Sequence, residues 1–381
     1  MTESSARKTF SSSTPLPSGS PAAVQVGNRF FTSGIVSDRT SGLESESHRV
    51  FQLIAELLRS SGISTADVVR TRTWHTSSGD EDGAAVEKLL RSVHGVIFDH
   101  PGPALTIIQV ERLPGGVEIS MELEAIAGGA KTAEKFEPDF DSSSSLAVLV
   151  NGEMWTSGLR GDPSTDRATQ VAQAVGDAEG LMKRAGVGAG DIVSTRHFMR
   201  HDVQFETDPP EWLAFKEPSI PTSAGIAVSG VGEPGHVFTF EMEGVAGASG
   251  GRTNLRTGRT FEVDHNYCRA VLVDDGDVVY VAGTTSIIVG EIVKYPFEVG
   301  PQVADTLQII KKAIIEIGLQ WSDLIHTRTY VVGGDAEIVE AVTALEKALP
   351  SGQVANTIVG VPVLGRPEVV VEIEARAVRA G

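Results

Sequence analysis

Cysteine, positive charge and long hydrophobic runs are all scarce in this sequence. The single cysteine, Cys268, excludes an internal disulfide and any metal site made of several thiolates, and it fits a reducing cytoplasm. Lys and Arg together number 32 against 50 for Asp and Glu, which gives a formal net charge of −18. A surface this acidic repels phosphate backbones and anionic lipids, so we expect neither a nucleic-acid nor a membrane partner.

Two further absences bear on where the protein acts. No apolar run reaches the ~18 residues that a membrane-spanning helix needs. The basic pair Arg7 and Lys8 is followed by polar residues and not by the apolar region of a signal peptide. Hydrophobic residues make up 41% of the 381, so the chain can bury a core, and its length suits two or three domains. We therefore predict a soluble, acidic, cytoplasmic protein.

Three short motifs recur in the same order three times along the chain. The first is a strand that ends in small residues (29–34, 153–158 and 278–283), the second is a Gly-x₄-Asp-x₃-Thr-Arg stretch (62–72, 186–196 and 318–328), and the third is a closing strand with two glutamates. The period is far longer than that of a solenoid repeat, so each repeat is predicted to be a domain with its own core.

Composition places the boundaries between these repeats. Residues 1–20 are rich in Ser and Pro and are predicted to be a disordered tail. The polar stretches 131–145 and 247–262 are interpreted as linkers. The predicted domains are those that remain: 21–130, 146–246 and 263–381.

Within each repeat the hydrophobic pattern changes between strands and helices. Two apolar strands separated by turn residues come first and predict a hairpin. A helix follows, and in the third repeat its apolar residues lie at three- and four-residue spacing from Val303 to Ile317. Asp208-Pro209-Pro210 interrupts the second repeat, so we expect its second helix to be shortened. The order β-β-α-β-α-β-β predicts an α+β domain with helices on one face of a mixed sheet.

Taken in order, these motifs resemble the RidA/YjgF family of reactive-intermediate deaminases. The family's marks are Ser-Gly after the second strand, Gly-x-Ser-x-x-Asp-Val-Val after the helix, a Leu-Pro, and a closing Val-x-Ile-Glu-Ala; they stand at 33–34, 62–69, 113–114 and 371–375. The resemblance covers nearly everything from about residue 20 onward. It implies three tandem chorismate-mutase-like domains.

The resemblance also implies how the domains assemble. Family members form homotrimers with ligand clefts between neighbours, so three copies in one chain imply an intramolecular pseudo-trimer with three different clefts and no obligatory partner chain. Chorismatases, and more distantly barbiturase and the cyanuric acid hydrolases, are similar in carrying related domains fused in one chain.

One departure from the family pattern concerns activity. Family deaminases carry an arginine shortly before the Leu-Pro stretch, where it pairs with the substrate carboxylate. The matching positions here are Leu105, Ser223 and Asn356. A standard imine deaminase is therefore not predicted.

The paired glutamates are the first candidates for chemistry. Both members of a pair lie two residues apart on a strand and so face one side. The resemblance gives the second member an acid/base or water-orienting role, and we match that position to Glu124, Glu243 and Glu374. Glu374, in the repeat closest to the family pattern, is the predicted principal acid/base. The alternative is a hydrated strand face without chemistry.

Tyr267 and Arg269 occur in the third repeat alone. Alternation puts them on one face of a strand, with Cys268 on the other. We predict that Arg269 holds an anionic substrate group, while Tyr267 and Thr284 form hydrogen bonds to it. The alternative is a salt bridge at the edge of the hairpin. Cys268 is interpreted as a small buried hydrophobic residue.

Arg72, Arg196 and Arg328 recur at one strand position after Thr. The shared position favours a structural role such as pairing across a domain interface. Arg328 and Asn356 are also candidates for substrate binding. A histidine in a cleft, from among His75, His197 and His201, is a candidate general base. We find no nucleotide- or metal-binding motif and expect neither a cofactor nor a metal.

These observations predict a cofactor-free enzyme acting on a small molecule. The expected reaction is that of a lyase, hydrolase or isomerase on a carboxylated or carbonyl-containing intermediate, in specialised metabolism. One alternative is a non-catalytic module that binds a ligand or stabilises a protein. Another is a divergent enamine or imine deaminase, or a chorismatase-like lyase.

Overall fold

A computed structural model describes residues 7–14, 16, 19–39, 42–76, 83–138, 143–203, 208–273, 276–288 and 290–380 of the chain. Within these residues the strands form three six-stranded sheets and one short two-stranded hairpin. Each large sheet belongs to one sequence repeat and packs helices on one face. The architecture is α+β, with three tandem units of the same kind.

The first unit contains one complete sheet and two helices. Its elements are β1 (Lys8–Phe10), β2 (Ala23–Val26), β3 (Arg29–Thr32), α1 (Leu43–Ser61), β4 (Val68–His75), α2 (Gly83–Ile97), β5 (Ala104–Gln109) and β6 (Ile119–Ile126). Helix α1 ends where Gly62 adopts a left-handed conformation with φ of 74°, which glycine adopts without a steric penalty.

The second unit repeats this order with a smaller second helix. Its elements are β7 (Glu134–Phe136), β8 (Ala147–Val150), β9 (Glu153–Thr156), α3 (Arg167–Ala185), β10 (Ile192–Arg200), α4 (Pro210–Lys216), β11 (Thr222–Val228) and β12 (Phe238–Val245). Helix α4 has seven residues against 15 in α2. It begins directly after Pro209, and Pro210 occupies its first turn, where a missing N–H costs nothing.

The third unit has two additional elements. Its elements are β13 (Arg252–Leu255), α5 (Thr260–Asp264), β14 (Ala270–Val273), β15 (Val278–Thr285), β16 (Ile287–Ile288), β17 (Ile292–Val293), α6 (Val299–Glu316), β18 (Leu324–Val332), α7 (Asp335–Ala348), β19 (Ala355–Val361) and β20 (Val371–Val378). The additions are the short helix α5 and the β16–β17 hairpin.

The strand order is the same in all three sheets. In the first sheet it is β1-β2-β3-β6-β4-β5, and the equivalent strands follow that order in the other two. The last pair, such as β4 with β5, is parallel because a helix crosses between its strands, and the other pairs are antiparallel. The equivalent residues of the three units can therefore be read directly from strand pairing.

The structure differs from the sequence prediction in the tail and both linkers. Strand β1 lies within the predicted disordered tail 1–20, β7 within 131–145, and β13 within 247–262, where the start of α5 also lies. Each of these strands pairs with the first hairpin strand of its unit and so lengthens the sheet by one edge strand. Backbone hydrogen bonds at an edge need no apolar pattern, which is why polar composition concealed them.

The second faces of the three sheets pack against one another in the middle of the molecule. Trp74, Phe198 and Tyr330 stand at the same position of β4, β10 and β18 and are completely buried. The Trp74 ring centroid lies 5.6 Å from that of Phe198 and 6.2 Å from that of Tyr330. One chain thus supplies the whole three-sheet centre. None of the helices in the described residues is both long and apolar enough to cross a membrane.

Candidate functional site

One set of candidate residues lies where the three sheets meet. Five arginines and five glutamates form a buried network of ion pairs, which we call the central network. Its members are Arg70, Arg72, Arg196, Arg328 and Arg376 with Glu122, Glu124, Glu241, Glu243 and Glu374. Because five positive and five negative charges balance, no charge of the network is buried without a partner.

The central network links each unit to the next. Three equivalent hydrogen bonds close a ring through the units: Arg72 Nε to Glu241 at 2.9 Å, Arg196 Nε to Glu374 at 2.7 Å, and Arg328 Nε to Glu122 at 2.9 Å. This is the interface pairing that the shared position of the three arginines predicts. Arg328 is therefore engaged with carboxylates of its own and the first unit.

Glu374 belongs to this network and does not line the cleft described below. Its carboxylate accepts hydrogen bonds from Arg196, from Arg328 at 3.4 Å and from the Tyr330 hydroxyl at 2.6 Å. Burial alone would raise the pKa of Glu374, but the charges of Arg196 and Arg328 outweigh it and hold that pKa far below its ordinary value. Glu374 is a fixed anion, which is a poor state for a general acid or base.

Strand pairing corrects the correspondence between the glutamates. Arg328 is paired with Glu374, as Arg72 is with Glu122 in the first unit. Glu374 therefore corresponds to the first glutamate of the other pairs and not to Glu124 or Glu243. The sequence alignment slipped by two residues, because the repeated Glu-x-Glu pattern matches itself in either register.

Two consequences follow from the corrected register. Arg376 occupies the position of Glu124 and Glu243, and it forms an ion pair with Glu243 across the interface. Glu372 occupies the position held by a serine and a threonine, Ser120 and Thr239, in the other units. Glu372 is thus a carboxylate without an equivalent in the first two units.

A cleft of about 350 Å³ opens between the second and third units. The second unit contributes residues of β10, β11 and α4, and the third contributes residues of α5, β15 and β20. Tyr267 and Arg269 line it, as does Glu372. A larger hollow of about 630 Å³ lies at the hairpin turns of the three units, where Arg29 and Glu153 are bonded to each other.

The size of one side chain distinguishes this junction from the other two. There, a threonine of the parallel edge strand, Thr106 or Thr357, packs against the glycine that follows the hairpin strand of the next unit. Here the equivalent residue is Ala224, which faces Gly283, and the next residue is Gly225. The smaller side chains leave space where the other junctions are filled.

Glu372 lies on this glycine. A Cβ atom added to Gly283 would be 2.0 Å from Glu372 Oε1, so a side chain at this position would displace the carboxyl group. Within the described residues, the Glu372 carboxyl forms no hydrogen bond or ion pair. Burial, and then the charge of Glu374, raise the pKa of Glu372 to about 8, against a smaller lowering effect of Arg269. Glu372 is therefore largely protonated at neutral pH.

Arg269 is committed to bonds within its own unit. Its guanidinium donates to the Gly283 carbonyl and to Thr284 Oγ1, both at 2.9 Å, and forms an ion pair with buried Glu262 at 3.1 Å. Glu262 belongs to α5 and also accepts hydrogen bonds from Thr257. Arg269 therefore links α5 to β15 at Gly283, and both elements line the cleft. Tyr267 lies under the guanidinium, 5.8 Å from ring centroid to Cζ.

The remaining cations of the cleft differ in how they are paired. Lys216 Nζ lies 3.3 Å from Asp208 and Arg366 lies 3.1 Å from Glu291. The guanidinium of Arg259, which precedes α5, forms no ion pair or hydrogen bond with any described residue. Burial, and next the nearby charge of Arg269, lower the pKa of Arg259. Its guanidinium is the cleft's available anion-binding group.

Two histidines line the cleft, His197 from the second unit and His265 from the third. His197 is packed against Trp212, and burial lowers the pKa of His197 to about 4. Its Nδ1 atom is buried without a hydrogen-bond partner. His265 Nδ1 lies 3.0 Å from Asp208. His197 is thus neutral at physiological pH and able to accept a proton only weakly.

The other predicted residues lie outside the cleft. Asn356 is a buried residue of β19; its Oδ1 accepts a hydrogen bond from Thr327 of β18 at 2.9 Å and its backbone N–H donates to Ser33. Cys268 is completely buried, which raises the pKa of its thiol to about 12. The structure therefore brings together Tyr267, Arg269 and Thr284, but not Asn356, Arg328 or the three glutamates.

Sequence reasoning missed Glu372 and Arg259. Glu372 was counted as the first member of a repeated pair, although alignment on the preceding arginines would have placed it opposite a serine and a threonine. Arg259 lies in a stretch interpreted as a linker. The sequence does show that the second unit has two small residues, Ala224-Gly225, where the other units have Thr-Ile. Nothing in the sequence connects this difference to a cleft.

Comparison with solved structures supports the three-unit architecture. A chorismatase crystal structure covers 82% of this chain and 93% of its own, at 15% identity and a TM-score of 0.57, which shows a shared fold. Single-unit proteins also match about a third of the chain: a YjgF/YER057c/UK114-family protein from Mycobacterium tuberculosis at 30% identity (99% of its chain, TM-score 0.30) and a YjgF-family protein from Neisseria meningitidis at 21% (96%, 0.28).

Sequence comparison identifies the family. No curated protein matches the chain. The family model described as Endoribonuclease L-PSP matches residues 14–128 and 257–379, which are most of the first and third units. The three sheets of like topology show that the second unit has the same architecture. The chain belongs to the Endoribonuclease L-PSP (RidA/YjgF) family, in an arrangement of three units within one polypeptide.

Proposed function

We propose that the protein is a cofactor-free enzyme that acts on a small anionic molecule in the cleft between its second and third units. In this proposal Glu372 is the general acid and Arg259 holds an anionic group of the substrate. The observation that carries it is the buried carboxyl of Glu372, which forms no hydrogen bond or ion pair with a described residue and lines the cleft between the second and third units.

The state of Glu372 favours proton donation. A carboxylic acid with a pKa of about 8 is protonated at neutral pH, yet it is acidic enough to give up its proton when charge develops on a substrate. Burial without a hydrogen-bond partner costs free energy, which a structural residue would avoid. A role as the general acid accounts for the presence of this carboxyl group in the cleft.

Arg259 supplies the attraction that the molecule as a whole lacks. At a net charge of −18 the protein repels anions at long range, so capture requires a fixed local cation. Lys216 and Arg366 already have carboxylate partners, and Arg269 is bonded to Glu262. This replaces our prediction that Arg269 binds the substrate directly: Arg269 positions the site and Arg259 binds.

The reaction class follows from the groups present. Glu372 transfers its proton to a carbonyl oxygen or unsaturated carbon of the substrate and becomes a carboxylate. Water attack, elimination or isomerisation then completes the reaction, and the carboxylate recovers a proton from water or product. A lyase, hydrolase or isomerase fits this arrangement. The fold shared with a chorismatase makes chorismate a suitable first compound to test.

The proposal is tested by binding first and turnover second. Small carboxylates and carbonyl compounds, chorismate first, are screened by thermal shift against the wild type and Arg259→Gln. We expect the substitution to remove the stabilisation by each hit. Arg112→Gln, which alters an exposed pair with Asp335, is the matched control and should bind like the wild type.

Hits are then assayed for product. Glu372→Gln should lower turnover by roughly 10²–10⁴-fold, the usual contribution of a positioned acid, with little change in binding. Wild-type turnover should fall above about pH 8 as Glu372 loses its proton. Tight binding without product for any hit would instead favour a ligand-binding module, the alternative from the sequence.

A further inference from the structure

The mouth of the cleft carries an insertion that occurs in the third unit alone. From the glycine after the hairpin strand to the next long helix, 16 positions separate Gly283 from Val299, against nine between Gly34 and Leu43. The seven extra residues accommodate the β16–β17 hairpin. Ile287 of this hairpin lines the cleft.

The base of the hairpin is fixed to the body of the protein, because Ile287 and Val293 pack against the apolar cluster around Trp74 and Tyr330 and the adjoining Lys294 forms an ion pair with Asp305 of α6. The strands of the hairpin are two residues each, and Ile288 and Ile292 are 39% and 59% exposed. The following residues Tyr295 and Phe297 are also exposed and adopt positive φ of 53° and 64°, which is unfavourable for large side chains. The exposed side of the hairpin and the strained residues that follow it are features of a segment that can move at low cost about a fixed base.

One ion pair ties the hairpin to the cleft rim. Glu291, between β16 and β17, accepts a hydrogen bond from Arg366 at 3.1 Å, and the same guanidinium donates to the Glu291 carbonyl at 2.5 Å. Both residues line the cleft and are about one-third exposed. A partly exposed pair contributes only about 0.2–1 kcal/mol, so it can hold the hairpin yet be broken readily.

We infer that the β16–β17 hairpin is a lid over the cleft and that the Glu291–Arg366 pair is its latch. Opening the latch admits a ligand, and closing it reduces the access of water to Glu372. The purpose of the lid rests on the proposed function, but its movement can be measured without any substrate.

A cysteine placed in the cleft reports the opening. Met199 of β10 lines the cleft from the second unit, is half-buried and makes no contact required by the latch. In a Met199→Cys protein, the rate of alkylation by iodoacetamide, a neutral reagent, measures access. Cys268 gives no background because it is buried and its thiol pKa is about 12.

Breaking the latch should increase this rate. We expect Glu291→Gln and Arg366→Gln to accelerate alkylation by up to about fivefold, the equivalent of one partly exposed ion pair. The charge-reversed double variant Glu291→Arg, Arg366→Glu should return the rate toward that of the parent. Arg112→Gln is the control for a pair elsewhere on the surface and should have no effect.

Two results would overturn the lid. One is an unchanged alkylation rate in the latch variants, with melting temperatures equal to the parent. The other is an increase that the charge-reversed pair fails to reduce, because charge and not a latch would then control access. Neither result bears on Glu372, so the proposed function could fail or stand independently.

Discussion

Glu372 and Glu374 show how strongly position determines the chemistry of a residue. They lie two residues apart on one strand, and both are buried. Glu374 accepts hydrogen bonds from two arginines and a tyrosine and is held as an anion, whereas Glu372 has no such partner and its pKa is raised to about 8. The negative charge of Glu374 is one of the causes of the raised pKa of Glu372.

This difference predicts a pH dependence of stability. Between the ordinary pKa of 4.5 and the folded value of about 8, the folded protein keeps a proton on Glu372 that the unfolded chain releases. The free energy of unfolding therefore decreases as pH rises through this window, by at most about 1.4 kcal/mol per pH unit for one proton. In Glu372→Gln this contribution is absent, so its urea-unfolding free energy should decline less steeply from pH 5 to pH 8. Equal slopes would contradict the raised pKa.

The two glutamates should also respond oppositely to replacement by glutamine. Glu374→Gln leaves Arg196 and Arg328 short of a carboxylate, and breaking a buried pair costs roughly 3–5 kcal/mol. Glu372→Gln removes no bond. We expect a clearly lower melting temperature at pH 7.5 for Glu374→Gln and an equal or higher one for Glu372→Gln. Similar losses in both would mean that Glu372 is structural as well.

At the scale of elements, the sequence predicted the repeated plan because it depends on hydrophobic periodicity. The apolar face from Val303 to Ile317 coincides with α6, and the hairpins lie where the turn residues indicate. The edge strands β1, β7 and β13 could not be predicted in this way, because backbone pairing forms them. The cleft was equally hidden, since it depends on which side chains of two units face each other.

The junction between the second and third units can be tested by introducing one larger side chain. Ala224→Thr places at the second junction the residue that Thr106 and Thr357 supply at the others. We expect it to fill the space beside Gly283 and reduce ligand binding at least tenfold, with a change in stability under about 1.5 kcal/mol. Isothermal titration with a hit from the screen measures the binding. Unchanged affinity would show that the ligand does not enter between Ala224 and Gly283.

For the whole molecule, the central network determines which units can be neighbours. Arg70 of the first unit corresponds to Ser194 and His326 in the others, while Arg376 takes the place of a glutamate. Glu243 is bonded by both Arg70 and Arg376, which come from the two other units. Because the units differ in these charged residues, the positive and negative charges of the network balance only when one copy of each unit is present.

This complementarity predicts a specific rescue. Arg376→Glu gives the third unit the glutamate that the other two units carry, but it replaces a buried positive charge by a negative one, and we expect a loss of roughly 3–5 kcal/mol. Adding His326→Arg recreates the arrangement of Arg70 beside Glu124 and should recover part of that loss. Chemical denaturation of the two single variants and the double variant gives the coupling free energy. A coupling near zero would mean that these positions act independently.

The three glycines after the hairpin strands lead to one last consequence. In a trimer of identical subunits, one substitution appears at all three junctions. A bulky or acidic side chain must then be accommodated at each of them. In the covalent chain, the side chain that lies against Gly283 is a glutamate, whereas those that lie against Gly34 and Gly158 are a serine and a threonine. In a fused chain, a substitution at one junction therefore leaves the other two unchanged. Two junctions can stay closely packed while the third acquires different side chains and a different chemistry.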